Sequence, residues 1–146
     1  MFGKTMSLEI GIGDGSSFSP VSIEPSVSLE NDGYYWYLHP ILEDLRAATG
    51  QYIDLYGDAS FTGENRRALE AALKSVRLLI QLQSDKWNVC IGQQLVPYDK
   101  LTRSRPHLRE VMASVEKSQF LSILNQLDAV VTRAKQLNSP VVCFGD

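Results

Sequence analysis

The spacing of apolar residues changes near residue 34, and this change constrains the fold more than any other feature of the sequence. Early in the chain, Leu8, Ile10 and Ile12 alternate with small or polar residues, which is the period of a strand with one buried face. From Leu38 onward, apolar residues recur at i, i+3, i+4 and i+7, which is the stripe of an amphipathic helix. The chain therefore groups strands and helices rather than alternating them strictly.

The same patterns predict the remaining elements. Residues 21–29 form a second extended stretch, so the first part of the chain resembles a hairpin. Helices are predicted near residues 34–50, 63–83 and 120–137, and strands over 52–56, 87–91, 109–116 and 141–144. Asp32 and Thr62 are the expected N-caps of the first two helices, and Pro40 suggests that the regular part of the first begins only near His39. Five or six strands with three helices predict an α+β fold with a largely antiparallel sheet.

Length and composition are those of one soluble globular domain, with 146 residues, 44% hydrophobic and 21% charged. Cys90 and Cys143 are too few for a disulfide framework, and no segment has the roughly 18 uninterrupted apolar residues of a membrane helix. The N-terminus lacks the apolar region of a signal peptide, so we expect a single cytoplasmic domain over residues 1–146. If Met6 is the true start, residues 1–5 are a disordered extension.

Charge is distributed unevenly along the chain. Residues 1–65 hold two basic and ten acidic residues, a net charge of −8, whereas residues 66–146 hold twelve basic and seven acidic residues, a net charge of +5. Such asymmetry indicates either an acidic face for a basic partner or a basic face for nucleic acid. The plainer interpretation is that the halves fold against each other and their fields cancel.

Motifs for nucleophilic, metal or cofactor chemistry are not recognisable. The glycines of residues 11–15 are not followed by a helix start, which a phosphate-binding loop needs. His39 and His107 are 68 positions apart, and neither cysteine lies in a metal-ligand spacing. We therefore expect no cofactor and no metal.

Aromatic residues are concentrated in one part of the chain, with six of the thirteen between residues 34 and 56. Consecutive aromatic residues at 34–37 cannot all face one core, so part of the run is expected at the surface, among carboxylates. Aromatic anchors within an acidic rim are typical of a protein-binding surface. The candidate partner-binding residues are Asp32, Tyr35, Trp36, Tyr37, Glu43 and Asp44. The alternative is a corner of the core with its hydroxyl groups at the surface.

A basic segment and a set of carboxylates are the other candidates. Lys100, Arg103, Arg105, His107 and Arg109 lie in an expected loop, but the pI of 5.4 and the single nearby aromatic residue disfavour direct nucleic-acid binding. If strands bring three carboxylates together, they could share a proton or bind a cation, as a small hydrolase or cation-dependent enzyme requires. These carboxylates are Asp54, Asp58 and Asp146. As turn residues beside glycine, they would instead bond their own backbone.

The chain resembles small stand-alone bacterial proteins of the immunity type, on three segments: the helix start at residues 34–38, the run at 51–58 and the end at 142–146. The resemblance implies a small, acidic, cytoplasmic protein without catalytic residues, which neutralises a secreted toxin by binding it. A protein partner, with a nuclease-type toxin domain as one option, is the first hypothesis. The carboxylate-based enzyme is the second.

Overall fold

The computed structural model describes residues 7–13 and 23–145. The elements in chain order are β1 (Ser7–Ile12), β2 (Ile23–Glu30), α1 (Gly33–Thr49), β3 (Asp58–Phe61), α2 (Gly63–Gln81), β4 (Lys86–Val96), β5 (His107–Glu116), α3 (Lys117–Leu137) and β6 (Val141–Gly145). Every strand pair is antiparallel, which confirms the predicted α+β fold. The expected extension over residues 1–5 lies outside the described residues.

Four strands form the main sheet in the order β2-β1-β6-β3, so the last strand of the chain lies between two early ones. Alternate residues of these strands, including Leu8, Val27, Phe61 and Val141, enter one core with the buried faces of the three helices. The helices therefore cover one face of the sheet. Across the described residues, no helix has the length and apolar character needed to cross a membrane.

The other two strands, β4 and β5, pair only with each other in the described part of the chain. We call residues 86–116 the arm and the rest of the described chain the body. Residues 92–111, which we call the distal arm, lie beyond a register shift between Cys90 and Gly92. Three consecutive residues beyond it, Gln93, Gln94 and Leu95, are all exposed, so both faces of the ribbon are open there. The predicted strands at 87–91 and 109–116 are parts of this longer hairpin.

Helix α1 begins at Gly33, so the expectation that its regular part starts only near His39 is wrong. Pro40 lies inside the helix and is exposed. It removes one backbone hydrogen bond, at a cost of about 3 kcal/mol. Buried Leu38 and Leu42 flank it on the core side, and burial of that face on both sides of the proline outweighs the loss.

The predicted strand at residues 52–56 is also wrong, and β3 follows it instead. Ile53 and Leu55 are buried as the pattern indicates, but their backbone joins no ladder. The Ile53 carbonyl accepts a hydrogen bond from the Tyr35 hydroxyl (3.1 Å), and the Asp54 carboxylate accepts one from a backbone N–H two residues ahead (3.3 Å). Side chains therefore take the hydrogen bonds that a neighbouring strand would have made.

Candidate protein-binding surface

Asp32 caps α1, as predicted. Its carboxylate accepts hydrogen bonds from the backbone N–H groups of Tyr34 (3.0 Å) and Tyr35 (3.3 Å). The side chain also lines a surface groove of about 260 Å³ between β2, the start of α1 and α3. Partial burial raises the pKa of Asp32, with a smaller contribution from nearby Glu30, while the two backbone hydrogen bonds oppose the rise. The role of Asp32 in the fold is thus to fix the start of α1.

Tyr35 belongs to the core, which corrects its assignment to an exposed surface. Its side chain is 2% exposed, and its hydroxyl donates to the Ile53 carbonyl. Burial raises the Tyr35 pKa, with further contributions from Tyr52 and Asp54. The residue therefore positions the loop at 51–57 and presents no side chain to a partner.

Tyr34 and Tyr37 hold the arm on the body. The Tyr37 ring packs edge-on against Trp87 of β4 (5.4 Å between centroids) and Phe120 of α3 (5.3 Å), and Trp87 stacks on Phe120 (6.1 Å). The Tyr34 ring contacts Phe120 (5.2 Å), and its hydroxyl accepts from the backbone N–H of Glu116 at the end of the arm (3.1 Å). Half of the aromatic run is thus the root of the arm. The sequence did not predict this role, because the rings that contact Tyr34 and Tyr37 belong to Trp87 and Phe120, which lie at least 50 positions later in the chain.

Trp36 points to a different side of α1 and belongs to a row of side chains that we call the α1 strip. Its members are Trp36, His39, Glu43, Arg46 and the adjacent loop residue Tyr52. Trp36 is half-buried, and its indole N–H donates to Asn31 Oδ1 (2.6 Å) while its ring lies 5.0 Å from the His39 ring. The indole is therefore held in one orientation before any partner arrives.

Glu43 continues the strip one helical turn further. His39 Nε2 lies 2.8 Å from the Tyr52 hydroxyl and 3.4 Å from Glu43 Oε1. The Arg46 guanidinium lies 4.9 Å from the centroid of the Tyr52 ring and 4.0 Å from a Glu43 oxygen. Burial raises the Tyr52 pKa, and Glu43 adds to that effect. His39 and Tyr52 are thus members of this surface that the sequence did not single out for it.

Asp44 lies on another side of α1 from Glu43, because one residue advances a helix by about 100°. It is exposed and lines an open groove of about 310 Å³ between α1 and α2, with Ile41 and Ala71. The predicted binding residues therefore do not form one surface. Trp36 and Glu43 share the α1 strip, whereas Asp44 and Tyr37 lie toward α2 and the arm.

The three carboxylates of the enzyme hypothesis are only partly described. Asp54 is half-buried in a turn, and Asp58 is exposed at the start of β3, while Asp146 lies outside the described residues. Over residues 7–13 and 23–145, no group of three or more His, Cys, Asp and Glu side chains is placed to hold a metal ion. The carboxylate-based enzyme stays a prediction, with no geometric observation in its favour.

The remaining candidates also lie apart from one another. Cys143 is buried in β6, and burial raises the pKa of its thiol to about 12, whereas Cys90 is exposed on the arm. His107 is exposed at the start of β5, near the basic residues of the arm loop.

Comparison of the chain with protein-family models, with curated proteins and with solved structures finds no match. The surface must therefore be judged on its own chemistry.

Proposed function

We propose that the chain is a non-enzymatic protein-binding module, and specifically a cytoplasmic immunity-type inhibitor that neutralises a bacterial toxin by binding it. The observation that carries this proposal is Trp36, which is half-exposed and fixed by Asn31 and His39, two helical turns before the exposed carboxylate of Glu43 on the same side of α1. Tryptophan is the residue most typical of interface hot spots.

Rigidity of the α1 strip favours binding because little side-chain freedom is lost when a partner docks. Trp36 is held by a hydrogen bond and a ring contact, and His39 is held between Tyr52 and Glu43. A surface of this kind contributes affinity through the aromatic ring and orientation through the polar atoms around it.

Acidity indicates the kind of partner. Residues 1–65 carry a net charge of −8, and the chain as a whole is acidic with a pI of 5.4. A toxin that cleaves nucleic acid presents a basic cleft, and opposite charges would accelerate association in a salt-dependent way. The α1 strip itself carries one carboxylate, Glu43, and one guanidinium, Arg46, so the attraction would come from the charge of the whole chain. A nuclease-type toxin domain is the partner that fits this overall charge best.

The proposal is tested by capture and rescue. The tagged protein is used to capture proteins from a lysate of its native cells at low and high salt, and the captured partner is then expressed in a sensitive host. We expect a stoichiometric partner that arrests growth, and co-expression of the wild-type chain to restore growth. Trp36→Ala should lose both capture and rescue.

Tyr56→Ala is the matched control, because Tyr56 is 61% exposed and is not a member of the α1 strip. This variant should capture and rescue as the wild type does. If the captured partner does not harm the host, the chain is not a toxin inhibitor, although it would still be a protein-binding module. Equal loss in both variants, or no loss in either, would remove the α1 strip from the proposal.

A further inference from the structure

The distal arm exposes several apolar side chains, as protein-interaction surfaces do. Leu95 and Leu108 are direct cross-strand partners on one face and are 63% and 62% exposed, and Leu101 in the loop is 94% exposed. Met112 lies on the same face of β5 but beyond the Gln93–Glu110 pair and is 48% exposed, and Tyr98 in the loop is 54% exposed. Exposed leucines that lie side by side are typical of a protein-interaction site, and a lone two-stranded ribbon with two open edges is marginally stable by itself.

Basic charge accompanies this apolar surface. Residues 97–109 contain four arginine or lysine side chains and one aspartate. Each of the five ion pairs in the described residues joins two residues of the same half of the chain, so none links the basic half to the acidic half. The expectation that the halves cancel each other receives no support from these contacts. Lys86 of the arm pairs with Glu116, but Lys100, Arg103, Arg105 and Arg109 form no ion pair with a described residue, so their charge remains available.

The outer face of the main sheet, opposite the helices, offers the complementary surface. One row of paired residues crosses the four strands in the order Ser28, Glu9, Phe144 and Asp58. The half-buried ring of Phe144 therefore has the carboxylate of Glu9 on one side and that of Asp58 on the other. Directly opposed side chains of this kind have Cβ atoms about 5 Å apart. Neither Glu9 nor Asp58 forms an ion pair with a described residue.

We propose that the arm of one copy of this chain docks across the outer sheet face of a second copy, and that the contact is reciprocal. Five arm residues beyond the register shift span about 16 Å, and a sheet of four strands is about 14 Å wide, so the ribbon is long enough to cross it. Leu95 and Leu108 would cover Phe144, and the basic arm loop with Lys100 and Arg105 would extend over the carboxylate on one side of it. A two-fold arrangement buries both arms and closes the assembly. The proposal is independent of the proposed function, because the α1 strip lies on the helical side of the sheet.

Charge reversal with crossed mixing tests the proposal. Sedimentation equilibrium gives the mass of the wild type, of the arm variant Lys100→Glu/Arg105→Glu and of the sheet variant Glu9→Lys/Asp58→Lys, alone and mixed. We expect a wild-type dimer and a self-association constant at least about 100-fold weaker for each variant alone, because each then opposes like charges. In the mixture both contacts again join opposite charges, so the dimer should return.

Arg67→Glu/Arg133→Glu is the control, because it changes net charge as the arm variant does but on exposed helical positions of the body. It should dimerise as the wild type does, and circular dichroism should show every variant folded. A monomeric wild type up to submillimolar concentration overturns the proposal, as does a mixture that stays monomeric. A wild type that binds a duplex or single-stranded oligonucleotide through Lys100 and Arg105, without self-association, assigns the arm to nucleic acid instead.

Discussion

The body and the arm use the same hydrophobic residue types in opposite ways. In the body, three helices and one face of the main sheet bury a single apolar core, and Leu124, Ile80 and Phe61 have no exposed surface. In the arm, Val115 is the one buried residue, and leucines further out are largely exposed. The body therefore carries its own stability, whereas the arm depends on its aromatic root.

This difference separates two kinds of surface. The α1 strip belongs to the body, and its side chains are fixed by neighbours that are themselves packed. The distal arm has few such neighbours, and most of its side chains are exposed. Rigid surfaces favour tight binding of a preformed partner, whereas open ribbons favour association through the strand edge and apolar side chains.

The largest effect is expected at Phe120, where body and arm meet. Phe120→Ala removes a fully buried ring that contacts Tyr34, Tyr37 and Trp87, so we expect a loss of about 3–5 kcal/mol in the free energy of unfolding. Chemical denaturation measures it. Leu101→Ala in the arm loop should change stability by less than about 0.5 kcal/mol. Similar losses in both variants would show that the arm is packed as the body is.

The same substitution, glycine to alanine, can be made at Gly145 in the body and at Gly92 in the arm. A Cβ at Gly145 would lie 2.5 Å from the Asp54 carbonyl oxygen and 2.7 Å from the Gly57 nitrogen, so Gly145→Ala should cost about 1–3 kcal/mol. A Cβ at Gly92 in the arm would meet no described atom within 4 Å. Gly92→Ala should therefore be neutral or slightly stabilising in thermal unfolding. A larger loss at Gly92 would contradict the open arm.

Substitution of Asp32 should change the free energy of unfolding less than the substitutions at Phe120 and Gly145, and the change should depend on pH. Asp32→Ala should cost about 1 kcal/mol, since the cap of α1 is lost, whereas Asp32→Asn keeps the cap. The Asp32 pKa is raised in the folded state, so folding binds protons and the wild type loses stability as pH rises above about 4. Denaturation midpoints of wild type and Asp32→Asn should therefore diverge in favour of Asn as pH rises from about 4 through the folded-state pKa of Asp32. Parallel curves would show that the buried charge has no cost.

The reactivity of the two cysteines compares the exposure of the arm with that of the body in the native protein. A thiol reagent at pH 8 should modify Cys90 on the arm and leave Cys143 intact, because Cys143 is buried with a thiol pKa of about 12. Denaturant should expose both. Cys90→Ser should abolish labelling of the native protein, and residual labelling of that variant would place Cys143 in a body that opens readily.

Sequence alone predicted the type and order of most elements, in the arm as well as in the body, but not the side-chain packing around α1. The helices α2 and α3 and the strand β6 follow from long apolar patterns, and Asp32 was identified as a cap from its chemistry. The error at residues 52–56 arose because burial of alternate residues does not require a ladder. Tyr35 could not be told from Trp36 within a continuous aromatic run, since the side of a helix that each residue occupies depends on where the helix begins.

The most direct test of the account is the affinity of the captured partner for Trp36→Ala, measured by calorimetry at low and high salt. We predict a loss of at least about 2 kcal/mol in binding free energy for Trp36→Ala and no loss for Tyr56→Ala, with weaker binding of the wild type at high salt. An unchanged affinity of folded Trp36→Ala would contradict the central claim that the rigid α1 strip is the binding surface.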